Sequence, residues 1–389
     1  MNDKTKTTRK AVMKLSSTAG NLAHCLQKVA GTAQNSAVIE IMRSVLLEVK
    51  EGQARLTAVN QDMQVTAFCE VEHEHPFKMT LPAQKLGEIL RQLPAEEMVN
   101  ITWEKGKSRA VLASKDSSFR LASLSVDDFP MMGKFGAVRA KKKIPARELL
   151  SVLKRVQYAS AMQSHRICLN GVLLEVEEKG ITLVATDGHR MAIEEVAAEG
   201  EITAPKKGKD DESARQFILP RKSVQELARN LDVDEDVDIE VAASSAKFSA
   251  LSFTLTSNLI DESYPDYRSV VPRNNDKKLT VERRPFLETI NRVMAICESG
   301  TTLLFDIRKG GIELKSENKD NDTAKDVFPV SYDGEDAQIG FNGSFLKDML
   351  SATEDDVMEM SFLNPSDSVL FKPAAAERSF KYIVMPVRL

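Results

Sequence analysis

Apolar residues recur three and four positions apart in residues 22–29 (LAHCLQKV), 149–156 (LLSVLKRV) and 286–293 (FLETINRV). That spacing predicts three helices, each with one buried face. A second set of helical patterns opens at Leu81 (LPAQKLGEIL), Leu219 (LPRKSVQELA) and Phe341 (FNGSFLKDML), with Pro82 and Pro220 suited to a first helical turn. A third set is strand-like, begins at Phe119, Phe253 and Phe380, and runs on to Pro130, Pro265 and Pro386. The three landmarks return in the same order. The closing residues Val29, Val156 and Val293 stand 127 and 137 positions apart. Three copies of one unit fit this better than ordinary helix–strand alternation in one large domain.

Between the helices, residues 55–68 (RLTAVNQDMQVTAF) and 181–193 (ITLVATDGHRMAI) alternate in the manner of half-buried antiparallel strands. The predicted fold is therefore α+β: three repeated domains, each with two helices packed on antiparallel β-sheet. The expected boundaries are 14–140, 141–275 and 276–389, after a flexible basic arm at 1–13. The charged stretch 200–216 reads as an insertion loop in the second domain. The acidic run at 232–238 (DVDEDVD) reads as a solvated edge or loop.

The 389 residues are 42% hydrophobic and 28% charged, with mean hydropathy −0.27, as in a globular chain with real cores. No apolar run is long enough to span a membrane, and residues 1–9 (MNDKTKTTR) lack the apolar stretch of a signal peptide. The expected location is the cytoplasm. Cys25, Cys69, Cys168 and Cys297 stand far apart in sequence and form no Cys-x-x-Cys, so they read as reduced and mostly buried.

The net charge of −4 argues at first against nucleic acid. Its distribution argues otherwise. The six helical segments carry 13 basic residues against six acidic, which leaves −11 for everything else. The basic set is Lys28, Lys85 and Arg91 in the first domain. In the second it is Arg147, Lys154, Arg155, Arg221, Lys222 and Arg229. In the third it is Arg283, Arg284, Arg292 and Lys347. Lys and Arg are good helix formers, but Glu is equally good and is half as frequent here as a class. A basic helical face on an acidic body meets phosphates without reading sequence.

Candidate chemistry is sparse. Asp187-Gly188-His189 allows a hydrolase reading, but no Gly-x-Ser-x-Gly accompanies it, and Asp-Gly between strand patterns is first a turn signal. His73 and His75 sit at strand spacing, with no third metal ligand evident. There is no phosphate-binding glycine loop. No cofactor, metal or catalytic residue is expected. The last residues, YIVMPVRL, are apolar to the end, so this segment must pack in a core or beside a groove.

The motifs ATDGHRMA at 185–192, YPDY at 264–267 and VMPVRL at 384–389 resemble the bacterial DNA polymerase III beta subunit family, the replicative sliding clamps. LNG at 169–171 and DFP at 128–130 fit as well, and the resemblance runs from about residue 14 to 389. It implies a closed ring made by a head-to-tail homodimer around double-stranded DNA, with no sequence specificity. It implies a non-catalytic processivity factor for the replicative polymerase catalytic subunit, served by an ATP-driven clamp loader and shared with other proteins bearing a clamp-binding motif. It also implies a nucleoid-associated location.

The family's partner-peptide pocket, carried over, draws on Leu169, Thr186, Gly188, His189, Arg190 and Met191. Pro265, Val270 and Ser368 belong to it, as do Ile383, Val384, Met385, Pro386, Val387, Arg388 and Leu389. Gln163 and Arg166 match a loop that faces DNA. The ring seam would set Phe119 and Leu121 of one chain against Ile296 and Cys297 of the other. The chain departs from the family at Ser36 and Ser269, where Arg is usual, at Glu40, where Pro is usual, and at Ile167 and Cys168, where Tyr is common. The readings from the residues alone that remain beside the resemblance are the Asp187/His189 hydrolase and a repeat scaffold with no DNA role.

Overall fold

The computed structural model describes residues 12–33, 39–104, 106–203, 215–297, 301–375 and 379–388. Most of the basic arm, Ser36, the centre of the 200–216 insertion and Leu389 fall outside them. The six helices stand where the periodicity puts them: α1 (Ala19–Ala30), α2 (Ala83–Gln92), α3 (Ala146–Val156), α4 (Arg221–Asn230), α5 (Arg283–Val293) and α6 (Gly343–Ala352). The three landmark strands are Ser117–Ala122, Phe253–Asn258 and Lys381–Val384. All named strand pairs within the units below are antiparallel.

The chain divides into two compact units. Unit 1 takes residues up to 137 together with 229–258; unit 2 takes 138–228 and 259 onward. These units cut across the sequence repeats, and hydrogen bonding is the reason. In unit 1 the landmark strand Phe253–Asn258 pairs with Met63–Glu70, in register from Phe253 opposite Ala67 to Ser257 opposite Met63. In unit 2 the landmark strand Lys381–Val384 pairs with Arg190–Ala197, Val384 lying opposite Arg190.

In unit 1, α1 lays Leu22, Cys25, Leu26 and Val29 onto the strands Gln53–Val59 and Met63–Glu70. Each buried side chain of this kind contributes roughly 1.5–3 kcal/mol. Thr18 caps the helix by accepting the Asn21 amide at 3.3 Å. Lys28 is buried on α1. Its Nζ donates to the Asn230 carbonyl at 3.3 Å and lies 5.6 Å from the Phe253 ring centre. In unit 2, Phe286 of α5 packs edge-on against Phe305 and Phe328, and Phe305 against Phe341, at centroid distances of 4.9–5.8 Å. Asn342 caps α6 by accepting the Ser344 amide.

Three local expectations change. Val12 and Met13 are not in a free arm; they begin the strand Val12–Thr18, opposite Glu104 and Trp103. The insertion does not begin at residue 200. Glu199–Ile202 is a strand paired with residues 140–143. Gly200 makes the pairing possible: at φ +134 a Cβ there would sit 2.2 Å from the Lys141 carbonyl oxygen. The acidic run ends in the strand Asp236–Val241, where Asp236 and Asp238 face solvent and Val237 is buried.

Candidate functional site

Asp187-Gly188 forms the tight turn of the hairpin that joins Gly180–Thr186 to Arg190–Ala197. Gly188 sits at φ +93, a backbone conformation that a Cβ disfavours. Asp187 Oδ1 accepts the amides of His189 and Arg190 at 2.9 and 3.0 Å. Thr186 Oγ1 accepts the Gly188 amide and donates to the Arg190 carbonyl. The Asp187 carboxylate is thus spent on its own turn and on Arg190, so it does not orient His189 as a catalytic base.

The C-terminal segment is tied to this turn. Beyond the pairing of Val384 with Arg190, the Met385 amide donates to the His189 carbonyl at 2.9 Å. Between tail and turn lies a cavity of about 220 Å³. Its apolar lining comes from Leu169, Met191, Pro265, Val270, Ile383 and Met385, and its polar lining from Arg166, Thr186, His189, Arg190 and Ser368. Beneath it the side chains of Cys168, Leu173, Val184, Ile218 and Tyr264 make a continuous buried cluster. Met385 is 44% exposed and Val270 51%, so the cavity keeps uncovered apolar surface in a frame of directional polar groups.

Tyr267, also on the lining, was not among the expected pocket residues. Its hydroxyl donates to Glu175 at 2.6 Å, and Arg268 reaches the same carboxylate at 2.8 Å. Burial, the Glu175 hydrogen bond and the Glu175 charge push the Tyr267 phenol well above its ordinary range. Its place at the end of the YPDY motif, two residues past Pro265, was the available signal. Val384, Pro386, Val387 and Arg388 do not line the cavity. Val384 is fully buried in the sheet, and Val387 makes a bridge to Gly340.

Arg190 organises the site. Its guanidinium binds Asp187 at 3.0 Å, Asp348 at 2.7 Å and the Tyr158 carbonyl at 2.9 Å, and stacks 4.3 Å from the Phe345 ring centre. Burial opposes the charge, but the Asp348 hydrogen bond and the surrounding carboxylates outweigh it and raise the Arg190 pKa. A second cavity, about 700 Å³, shares Arg166, His189 and Arg190 with the first. It extends along residues 158–166 to Arg221, whose guanidinium holds the Ser160 carbonyl.

The expected DNA-facing residues separate into two groups. Lys85, Arg91, Arg147, Lys154, Lys222, Arg229 and Arg284 are exposed on their helices, and Gln163 and Arg166 are exposed on their loop. Lys28, Arg155 and Arg283 are buried, which corrects their reading as phosphate contacts. Arg155 is clamped to Glu194 by two 2.6 Å bonds, and Arg283 donates to the carbonyls of Leu350 and Asp355. A buried cation that holds internal acceptors cannot also meet a phosphate. Arg292 is exposed but ion-paired with Asp326 at 2.7 Å, and Arg221 and Lys347 are half-buried.

Of the seam residues, Phe119 is half-buried on Ser117–Ala122, the last strand of its five-stranded sheet. Leu121 is buried inside its own unit. Ile296 and Cys297 are half-buried just past α5. Among the departures, Glu40 is exposed, Ile167 is 55% exposed, Cys168 is buried under the cavity, and Ser269 donates to the Asp266 carbonyl. His73 Nε2 accepts the Gly52 amide at 3.0 Å, which ties the turn at Gly52 to the short strand Glu72–His73. No helix among the described residues is long and apolar enough to cross a membrane.

Three family models match in succession: the N-terminal domain of the DNA polymerase III beta subunit over residues 13–133, its central domain over 143–266 and its C-terminal domain over 268–388. The beta sliding clamp of Vibrio cholerae is 31% identical over 382 residues, covering 97% of this chain and all of that one. Among solved structures, the Pseudomonas aeruginosa sliding clamp bound to griselimycin matches with a TM-score of 0.89 at 30% identity, over 97% of this chain and 100% of that chain. The Caulobacter crescentus clamp matches with a TM-score of 0.86 at 28% identity, again over 97% and 100%. With all three domains matched in order, and with full-length relatives in both sequence and fold, this chain belongs to the DNA polymerase III beta subunit family, the beta sliding clamps.

Proposed function

We propose that the chain is a DNA sliding clamp, a non-catalytic processivity factor. Two copies close head to tail around duplex DNA and carry the replicative polymerase, the clamp loader and other proteins with a clamp-binding motif. The domains are taken as 14–140, 141–275 and 276–389. The seam joins sheet ends: Ser117–Ala122 of one protomer, with Phe119, against the α5 end of the other, where Ile296, Cys297 and the terminal strand Thr323–Pro329 stand. The exposed cations Lys85, Arg91, Arg147, Lys154, Lys222, Arg229 and Arg284, with Gln163 and Arg166, face the DNA. Because a ring holds DNA topologically, each phosphate contact can be weak and exchangeable. Such a protein works in the cytoplasm at the nucleoid.

The observation that carries the docking role is the hydrogen bond from Met385 to His189. It clips an apolar tail to a rigid turn and so builds the cavity between them. The cavity takes a short partner peptide with a Gln and a Leu or Phe. The apolar side chain sits among Leu169, Met191, Val270 and Ile383, and the polar ends meet Thr186, His189, Arg190 and Ser368.

The test has two parts. A fluorescent peptide of that type is titrated against wild type and Met385→Ala. Loss of the exposed thioether, which a bound peptide would cover, removes roughly 1.5–3 kcal/mol of binding, a weakening of about tenfold or more. The variant should still elute as a dimer of about 86 kDa, twice 43.1 kDa. Protein loaded on nicked circular DNA should then be released when the DNA is linearised. Retention after linearisation would overturn the ring reading, and unchanged peptide affinity would overturn the pocket.

A further inference from the structure

Two helix–sheet periodicities bring Cys25 and Cys69 together. On α1, Cys25 belongs to the buried stripe of Leu22, Leu26 and Val29, and is 1% exposed. On the strand Met63–Glu70, the odd positions Met63, Val65 and Ala67 are buried. Cys69 continues that row at the strand's end, where it is only half-buried. α1 packs on this same strand, and Asn21, one turn before Cys25, donates to the carbonyl of Glu70, the residue after Cys69, at 2.8 Å, which brings the two cysteine side chains to the same end of the helix–sheet contact. Across the sheet Cys69 faces the small residue Ala54, which leaves its sulfur uncrowded on that side.

We propose that Cys25 and Cys69 are a redox-active pair that closes to a reversible disulfide on exposure to a hydroperoxide. The half-exposed Cys69 is the sulfur that meets the oxidant. Its thiolate attacks the peroxide O–O bond, giving a sulfenic acid and an alkoxide (hydroxide, from hydrogen peroxide) that takes up a proton. Cys25 then loses its proton as its sulfur displaces the sulfenic oxygen, which departs as water. The two thiols give up two electrons in total, and the peroxide is reduced by two. Electrostatics favour this division of labour. The neighbouring Cys25 lowers Cys69 against the opposing effect of burial, whereas the neighbouring Cys69 and burial raise Cys25, with Leu56 and Lys28 acting on Cys25 in the opposite sense. The product staples α1 to its sheet. Cys168 is shielded beneath the docking cavity and serves as an internal control.

The experiment treats native full-length protein with hydrogen peroxide, blocks free thiols by alkylation and digests it with trypsin without reductant. Mass spectrometry should find peptides 15–28 and 56–78 joined, two hydrogens lighter than their sum. The species should vanish with dithiothreitol and be absent from Cys25→Ala and from Cys69→Ser, while the Cys168 peptide stays alkylated. Oxidised wild type should melt above the reduced form. The proposal is overturned if Cys69 advances to sulfinic acid while Cys25 stays alkylated, or if the linked peptide forms only after denaturation. The wild-type measurement decides the matter even where a variant folds poorly.

Discussion

Arg155 and Glu194 form a bidentate ion pair whose side chains are 5% and 4% exposed, with a third bond from Arg155 to Ser151 at 2.6 Å. Replacing Arg155 with Met keeps most of the volume and leaves Glu194 buried without its main partner. That perturbation removes roughly 3–5 kcal/mol. At about 1.36 kcal/mol per factor of ten, amide exchange in α3 and in Arg190–Ala197 should accelerate roughly 150- to 5,000-fold. Hydrogen exchange read by mass spectrometry is the right assay, because it reports α3 and Arg190–Ala197 segment by segment. Arg155→Met with Glu194→Met should recover most of the loss, since two apolar side chains leave no orphaned charge. Lys154→Met, one residue away and exposed, should change protection by no more than about 0.5 kcal/mol. An Arg155→Met acceleration below about tenfold, or a double variant no better than the single, would refute the buried clamp.

The same variants separate DNA contacts from structural cations. Arg284→Ala and Lys154→Ala should each reduce the slope of log affinity against log salt by about 0.9 if the side chain meets a phosphate, whereas the Arg155/Glu194 double variant should leave it unchanged. Gly188→Ala places a Cβ on a residue at φ +93, in otherwise open space. Strain of about 1–2 kcal/mol should lower the melting temperature and weaken peptide binding; equality with wild type in both would contradict the turn's role. In unit 2, the hydrogen bond from Arg308 and the charges of Arg308 and Lys315 hold the Asp306 carboxyl below its ordinary 3.8, against a smaller opposing effect of burial. A carboxylate lowered in this way contributes stability above its unfolded value and loses it as the pH falls through the folded one. The melting-temperature gap between wild type and Asp306→Asn should therefore be full at pH 7 and close as the pH falls below 3.8; a gap independent of pH would contradict it.

Local features were legible because local chemistry dictates them. The spacing of Leu149, Val152, Leu153 and Val156 is a helix stripe in any context, and Asp187-Gly188 between alternating segments makes a turn because Gly tolerates positive φ. Most of the docking cavity was reachable through the resemblance, since its motifs sit on that turn and on the tail. Tyr267 escaped because its role depends on Glu175, 92 residues away.

The sequence by itself determined the α+β class, the six helices, the threefold repetition and an excess of cations on helices, all set by spacing and composition. Only the tertiary structure decided how strands regroup the repeats into units, because ladder hydrogen bonds join residues such as Phe253 and Ala67 that no local pattern connects. It also decided which cations face solvent. Lys154 and Arg155 are neighbours of the same charge, yet one lies outside and the other beneath Glu194. The same holds for Cys25 and Cys69, distant in the chain and brought to one end of the same helix–sheet contact once α1 lies on its sheet. Periodicity specifies the face a residue occupies; what meets that face is set by packing with partners far along the chain.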